Sequence, residues 1–248
     1  MNQLKENLIF QENKYLIVKL SDKLKEFRIG PVKAANYLNK GVLRNVIYLT
    51  VAILLFFFGV LVYGIILNLR DVPLSEAMLK SGFTEIKNPK LLVDRHNYTL
   101  GLYEEGILIK NYRVSLGKSA QTPKSRAGDK ATPVGIYKIC KIDTVTKYHK
   151  FFHLNYPNLE DATNALRKGW ISQKEFNDLK FQYYYEECPK FNRILGGDIG
   201  IHGIGELDYV FKNLPFVYNW TNGSIAMSNE NIDELYSVIK VGTEVEIK

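Results

Sequence analysis

Cysteine is scarce in this chain. Its 248 residues include two, Cys140 and Cys188. Neither belongs to a C-x-x-C pair or a zinc-binding spacing, which excludes the common zinc and dithiol modules. Two readings of the pair stay open: one disulfide in an oxidising compartment, or two separate buried thiols. Glycine loops that cradle phosphates are also missing, since neither G-x-G-x-x-G nor a Walker loop occurs. There is no internal repeat. Asp143, Asp161, Asp198 and Asp208 are too scattered to make a paired-carboxylate signature. In the run HKFFH, His149 and His153 lack the Glu that an H-E-x-x-H zinc protease uses as its base, so both read as structural. No cofactor or metal is implied.

Positive charge is present but badly placed for nucleic acid. The net charge is +7. Residues 1–45 hold nine Lys/Arg against four Asp/Glu, while the remainder holds 24 against 22. The surplus is therefore a property of the tail, and no nucleic-acid footprint falls on the folded part. The tail reads as a solvated charged segment. A membrane-surface helix presenting Lys14, Lys19, Lys23 and Lys25 to anionic lipid is the alternative.

Residues 46–67 carry no charge and are bracketed by Arg44 and Arg70. As a helix this run is about 33 Å long, enough for a hydrocarbon core of about 30 Å. It lies too far from the start, and lacks the small-residue cleavage site, for a secretory signal. The expectation is an uncleaved single-pass anchor over 46–68, with Tyr48 and Tyr63 at the interfaces and the basic tail in the cytoplasm. Residues 69–90, with Pro73, Gly82 and Pro89, read as a linker that sets distance from the membrane.

From Leu91 the apolar period becomes two. KLLVDRHNYTLGLYEEGILIKNYRVSLG predicts three strands with turns at 94–97 and 104–106. A loop rich in Gly, Pro and Lys follows, and Thr132-Pro133 with Gly135 opens another strand. Lys118, Lys124, Arg126 and Lys130 in that loop read as solvated; contact with an acidic peptide is the functional alternative. Two helices are expected in 149–190: one capped by Asp161 and ended by Gly169, one opened by a Ser172/Glu175 capping box. Ser228 or Asn229 caps a third, with Ile232, Leu235 and Ile239 on its apolar face, and TEVEIK makes a last strand. Sixteen Tyr and thirteen Phe fit a mainly β domain with a few helices.

The chemistry concentrates in 198–228, DIGIHGIGELDYVFKNLPFVYNWTNGSIAMS. His202 sits in a glycine-flanked turn. Thr221-Asn222-Gly223-Ser224 follows, so a base and a hydroxyl lie on neighbouring turns, the minimal kit for acyl transfer. Gly223 permits close backbone approach to a substrate and aims amides at an oxyanion. The sequence places Ser224 just before a helix N-terminus, where developing negative charge is favoured.

This stretch resembles the active-site signature of the L,D-transpeptidase catalytic-domain family: a His–Gly turn, a loop, then Ser/Thr-His-Gly-Cys. Trp220, Thr221, Gly223, Ile225 and Ala226 are similar to a branch reading Trp-Thr-x-Gly-Cys-Ile-Ala. Asn222 stands in place of the second His, and Ser224 in place of the nucleophilic Cys. The Ser-Leu-Gly at 115–117, the Pro-Lys and Gly-Asp loop, and Thr132-Pro133-x-Gly135-x-Tyr137 also resemble the family, so the likeness covers about 91–248. It implies a β-sandwich-like L,D-transpeptidase fold behind the transmembrane helix. It implies peptidoglycan stem peptides as partner, with the domain outside a bacterial inner membrane. In the family a thiolate attacks the third residue of a tetrapeptide and releases D-Ala. The acyl group then passes to an amine or to water. Carried over, His202 is base and acid, Ser224 the nucleophile, and the amides of Gly223 and Ser224, beside Asn222, the oxyanion hole. Ser224 leaves three readings: an inactivating substitution, a natural serine enzyme, or a non-catalytic peptidoglycan-binding protein.

Overall fold

Alternation of apolar and polar residues makes strands here because one face of each must leave water. In the computed structural model, which describes residues 40–68, 71–186, 188–214 and 216–248, the order is α1 (Lys40–Asn68), α2 (Leu74–Lys80), β1 (Lys90–Asp94), β2 (Thr99–Glu104), β3 (Ile107–Arg113), β4 (Gly135–Thr146), β5 (His149–Leu154), α3 (Leu159–Arg167), α4 (Gln173–Tyr185), β6 (Gly200–Gly203), a short 3-10 turn (Gly205–Leu207), α5 (Asp208–Phe211), β7 (Ile225–Met227), α6 (Asn229–Tyr236) and β8 (Glu244–Ile247). The lysines that the alternative reading of the tail puts at a membrane surface lie outside the described residues.

α1 is long and apolar enough to cross a membrane, with a mean hydropathy of 2.7 over its core. It is apolar all round, which suits lipid rather than a one-sided protein contact.

The eight strands form one mixed sheet in the order β3-β2-β1-β8-β4-β5-β6-β7. β1 pairs in parallel with β8, and β6 with β7; the other neighbours are antiparallel. β4 belongs to both halves, and its register shifts against β5 let it bend from one to the other. The sheet then closes on itself. Ser115, just past β3, and Ala226 of β7 exchange two backbone hydrogen bonds of 2.8 Å. The enclosed face holds the main core: Leu91, Val93, Leu100, Leu102, Tyr137, Ile139, Phe152, Ile201, Ile225 and Val245, covered by Ile232 and Leu235 of α6. The fold is thus mainly β with a few helices, as the alternation predicts.

Residues 71–90 are more than a spacer. Leu74 and Ala77 of α2 are buried in the main core, because an amphipathic turn this close to the sheet gains more by burial than by standing in water. Lys110 is buried beneath it, paired to Glu234 at 2.7 Å and Asp71 at 3.5 Å.

The segment that carries α3 and α4 builds a second, smaller core from Ala162, Ala165, Ile171, Leu179 and Leu195. Ser172 and Glu175 cap α4 reciprocally, as the sequence predicts. α3 begins earlier than predicted. Asn158 is its cap, and Asp161 is the third helical residue returning a bond to the Asn158 amide. Cys140 of β4 and Cys188 after α4 form a disulfide with Cα atoms 5.3 Å apart, which settles the open pairing and ties this helical segment to the sheet.

Candidate functional site

The parallel pair β6–β7 builds the site. Ile201 opposes Ile225 and His202 opposes Ala226. Side chains alternate along a strand. Ile201 and Ile225 therefore point into the core, fully buried, while His202 and Ser224 project to the other face, one pleat apart. Both line an open cleft of about 750 Å³, with Tyr148, Phe151, Trp220, Asn222 and Asp198 among its walls.

His202 is 2% exposed. One ring face stacks on Phe151, centroids 5.3 Å apart and planes 9° apart, and Tyr148 lies 4.5 Å away. Its Nδ1 is 2.6 Å from the carbonyl oxygen of Gly203. A carbonyl only accepts, so Nδ1 carries the proton and Nε2 keeps its lone pair. Burial pushes the imidazole pKa down to about 4; the Gly203 bond opposes this and Lys147 adds to it. The side chain is a neutral base at neutral pH.

Ser224 is 9% exposed. Its hydroxyl accepts a 3.3 Å hydrogen bond from the Gly200 amide, and among the described residues it makes no bond to His202. Thr221 braces the turn: its Oγ1 donates to the Ser224 carbonyl at 2.6 Å and accepts from the Gly223 amide at 3.2 Å. One element of the expected oxyanion hole is therefore already engaged. Of the two amides, that of Ser224 alone has no acceptor among the described residues. Asn222 is exposed at the cleft mouth and its side chain makes no hydrogen bond among the described residues.

Gly223 has φ +123°, and an added Cβ would lie 2.7 Å from the Ala131 carbonyl oxygen. Its first requirement is thus the close pass of another loop. Gly117 packs harder still, since an added Cβ would lie 2.1 Å from the Lys130 carbonyl oxygen. The Gly117 amide donates to buried Thr132, and Gly117 bridges Thr221. Three stretches distant in sequence meet at this crossing.

The helix N-terminus expected at Ser224 is not there. β7 intervenes, and Ser228 caps α6 by accepting from the Asn231 amide. The strand carries the chain away before the helix starts, so its dipole does not face the hydroxyl.

The basic loop is partly structural. Lys124 lines the cleft, but its ammonium is buried on Asp129 at 2.8 Å. Burial would raise the Asp129 pKa; bonds from Lys124 and the amides of Ser125, Arg126 and Ala131 outweigh it and hold the pKa at about 2. Lys118 and Lys130 also line the cleft. His149 and His153 do not converge: His149 meets Asp233 at 2.7 Å, and His153 meets Asp143 at 2.8 Å.

Sequence reasoning missed Tyr148, Phe151 and Gly200. Phe151 and Gly200 belong to strands, and Tyr148 to the turn before β5, all with an ordinary local pattern, and only the pairing of β5 with β6 sets Phe151 beside His202.

Residues 88–247 match the L,D-transpeptidase catalytic domain family (YkuD), and the chain belongs to that family. No curated protein matches. Among solved structures, the chain is similar to the L,D-transpeptidase of Xylanimonas cellulosilytica DSM 15894, with 14% identity, 71% of this chain and 70% of that one covered, and a TM-score of 0.37. It is also similar to Bdellovibrio bacteriovorus Bd1075 and to the helical cell shape determining protein Pgp2 of Campylobacter jejuni. Each of these shares 20% identity, 66% of this chain and 48% of that one, with a TM-score of 0.42. The chain thus spans about half the length of those two.

Proposed function

We propose that this protein is a membrane-anchored L,D-transpeptidase-type acyltransferase or peptidase acting on peptidoglycan stem peptides outside a bacterial inner membrane. In this reading residues 1–45 are cytoplasmic, 46–68 span the bilayer, and 91–248 form the catalytic domain. The observation that carries it is the free Nε2 of neutral His202 in the same cleft as Ser224. The disulfide supports an oxidising compartment.

Residue 224 attacks the acyl carbonyl while His202 Nε2 takes its proton. The Ser224 amide stabilises the oxyanion, and the protonated imidazole then returns the proton to the leaving amine. The acyl group goes to an amine, forming a cross-link, or to water, cutting one. A hydroxyl depends wholly on the base, whereas a thiol is partly ionised and intrinsically more nucleophilic. The serine therefore attenuates the chemistry without altering the cleft.

A second reading is a non-catalytic stem-peptide-binding protein. The hydrogen bond from the Gly200 amide favours it, because Ser224 has no bond to the base. The two separate on Ser224→Cys. The enzyme reading expects intact-mass acylation by a carbapenem and release of D-Ala from a tetrapeptide. It also expects most of that gain to vanish in the Ser224→Cys, His202→Ala double variant, by about 10²–10⁴-fold. A folded Ser224→Cys protein that neither acylates nor turns over a stem peptide would leave the binding reading.

A further inference from the structure

The segment between the cleft and α6 carries more exposed apolar surface than a solvated loop needs. Leu207 is 59% exposed, Tyr209 72%, Val210 51%, Phe216 56% and Tyr218 52%. Scattered apolar residues are ordinary, but a run of large ones on one short turn-helix-loop marks an interaction surface.

Its place in the fold says what covers it. α5, inside this segment, is bound to the start of α6: Asp208 accepts from the Asn229 amide at 2.9 Å. Chain leaving α1 enters the domain on the same helix. The Leu74 amide donates to Glu234 of α6 at 3.0 Å, and Asp71 reaches Lys110 beneath it. α6 is eight residues long, or about 12 Å. The apolar segment and the entry point of the tether are thus no more than one short helix apart. The tether itself is short. From Asn68 to Leu74 the extended chain spans at most about 20 Å.

On the reading that α1 is a membrane anchor, we propose that the apolar lip formed by Leu207, Tyr209, Val210, Phe216 and Tyr218 rests in the outer face of the same bilayer and seats the domain on lipid. The short tether holds the lip at the membrane surface, where the loss of one exposed apolar patch needs no protein partner. Tyr209 and Tyr218 are amphipathic rings suited to the headgroup level. The 204–218 stretch includes Glu206 and Asp208 against Lys212, so the contact is driven by apolar burial and does not depend on anionic lipid. The seating also fixes the cleft: Leu207 and Phe211 share a pocket with Tyr148 and Trp220, which are cleft walls. The cleft is then held close to the membrane.

The test uses the full chain in phosphatidylcholine vesicles. A polarity-sensitive fluorophore is placed on Val210→Cys and, separately, on Asp178→Cys, an exposed position of α4; Cys140 and Cys188 are bonded and do not compete. Flotation first establishes insertion. The expected result is a blue-shifted probe at 210 that loses most of its emission to shallow nitroxide lipid, with the probe at 178 unaffected. Insertion with the two probes alike overturns the lip while leaving the anchor standing. A blue shift at 210 without lipid quenching means that a protein, such as a second copy of the chain, covers the segment, and overturns lipid as the occupant. Failure to float overturns the anchor and the lip together.

Discussion

His202 Nδ1 donates to the carbonyl oxygen of Gly203, its own neighbour in β6, across 2.6 Å. The base is oriented by backbone, and this arrangement needs no carboxylate in the site. Burial makes protonation of the ring costly, and the Gly203 bond offsets only part of that cost.

That cost has a sign. The His202 pKa is about 4 in the folded chain and about 6.5 when unfolded. Between these values the unfolded chain binds the extra proton, so stability is complete above about pH 6.5 and falls as pH drops toward 4, by on the order of 3 kcal/mol in all. His202→Gln should lack this component. Urea midpoints measured from pH 7 to pH 4 should converge between the two proteins as pH falls; parallel curves would show that the ring is not held neutral.

Gly223→Ala should destabilise the domain. The residue has φ +123°, and the new methyl would press on the Ala131 carbonyl oxygen. The backbone strain alone is worth roughly 1–3 kcal/mol. A denaturant midpoint unchanged from the parent would mean that the 131 loop moves aside freely, and that the glycine is needed only for substrate approach.

Asp129 organises the loop that Gly223 packs on. Asp129→Ala leaves the buried Lys124 ammonium without its partner and three amides without their acceptor. The expected loss is about 3–5 kcal/mol, the usual result of breaking a buried pair from one side. Limited proteolysis should then cut within 118–134 first. An intact loop with parental stability would show that the pair contributes nothing net.

The Cys140–Cys188 bridge closes a loop with a sequence separation of 48. The chain-entropy relation gives about 4 kcal/mol for such a loop. Native protein should resist thiol labelling, and Cys140→Ser/Cys188→Ser should lower the urea midpoint accordingly. Two reactive thiols in the native chain would remove the bridge and its support for an oxidising compartment.

Some of this was legible from residue order alone. Period-two alternation marked β1, β2 and β3, because each strand buries one face. The Ser172/Glu175 box marked α4, because capping is settled within four residues. The charge-free run 46–67 marked a helix of membrane-spanning length. His202 and Ser224 stood out through their glycine neighbours and their family resemblance. Other features depend on partners far along the chain. The disulfide needed Cys140 and Cys188 brought within bonding distance by the segment that carries α3 and α4, which no spacing rule decides. The burial of Leu74 and Ala77 needed a sheet beneath α2. The helix capped by Ser228 begins where its cap predicts, but β7 separates it from Ser224, because residues 225–227 gain two strand neighbours, β6 and the chain at Ser115, by staying extended.

What the sequence by itself determined is therefore local: which segments are strand, helix or apolar span, and which residues have chemistry to offer. Tertiary structure alone decided which of them meet. The parallel register of β6 and β7 turns His202 and Ser224 to one face, and β5 brings Phe151 against the imidazole. The crossing of three loops makes Gly117 and Gly223 indispensable. The physical reason is that side-chain direction in a sheet follows register, and register is set by burying the whole sheet's apolar face at once.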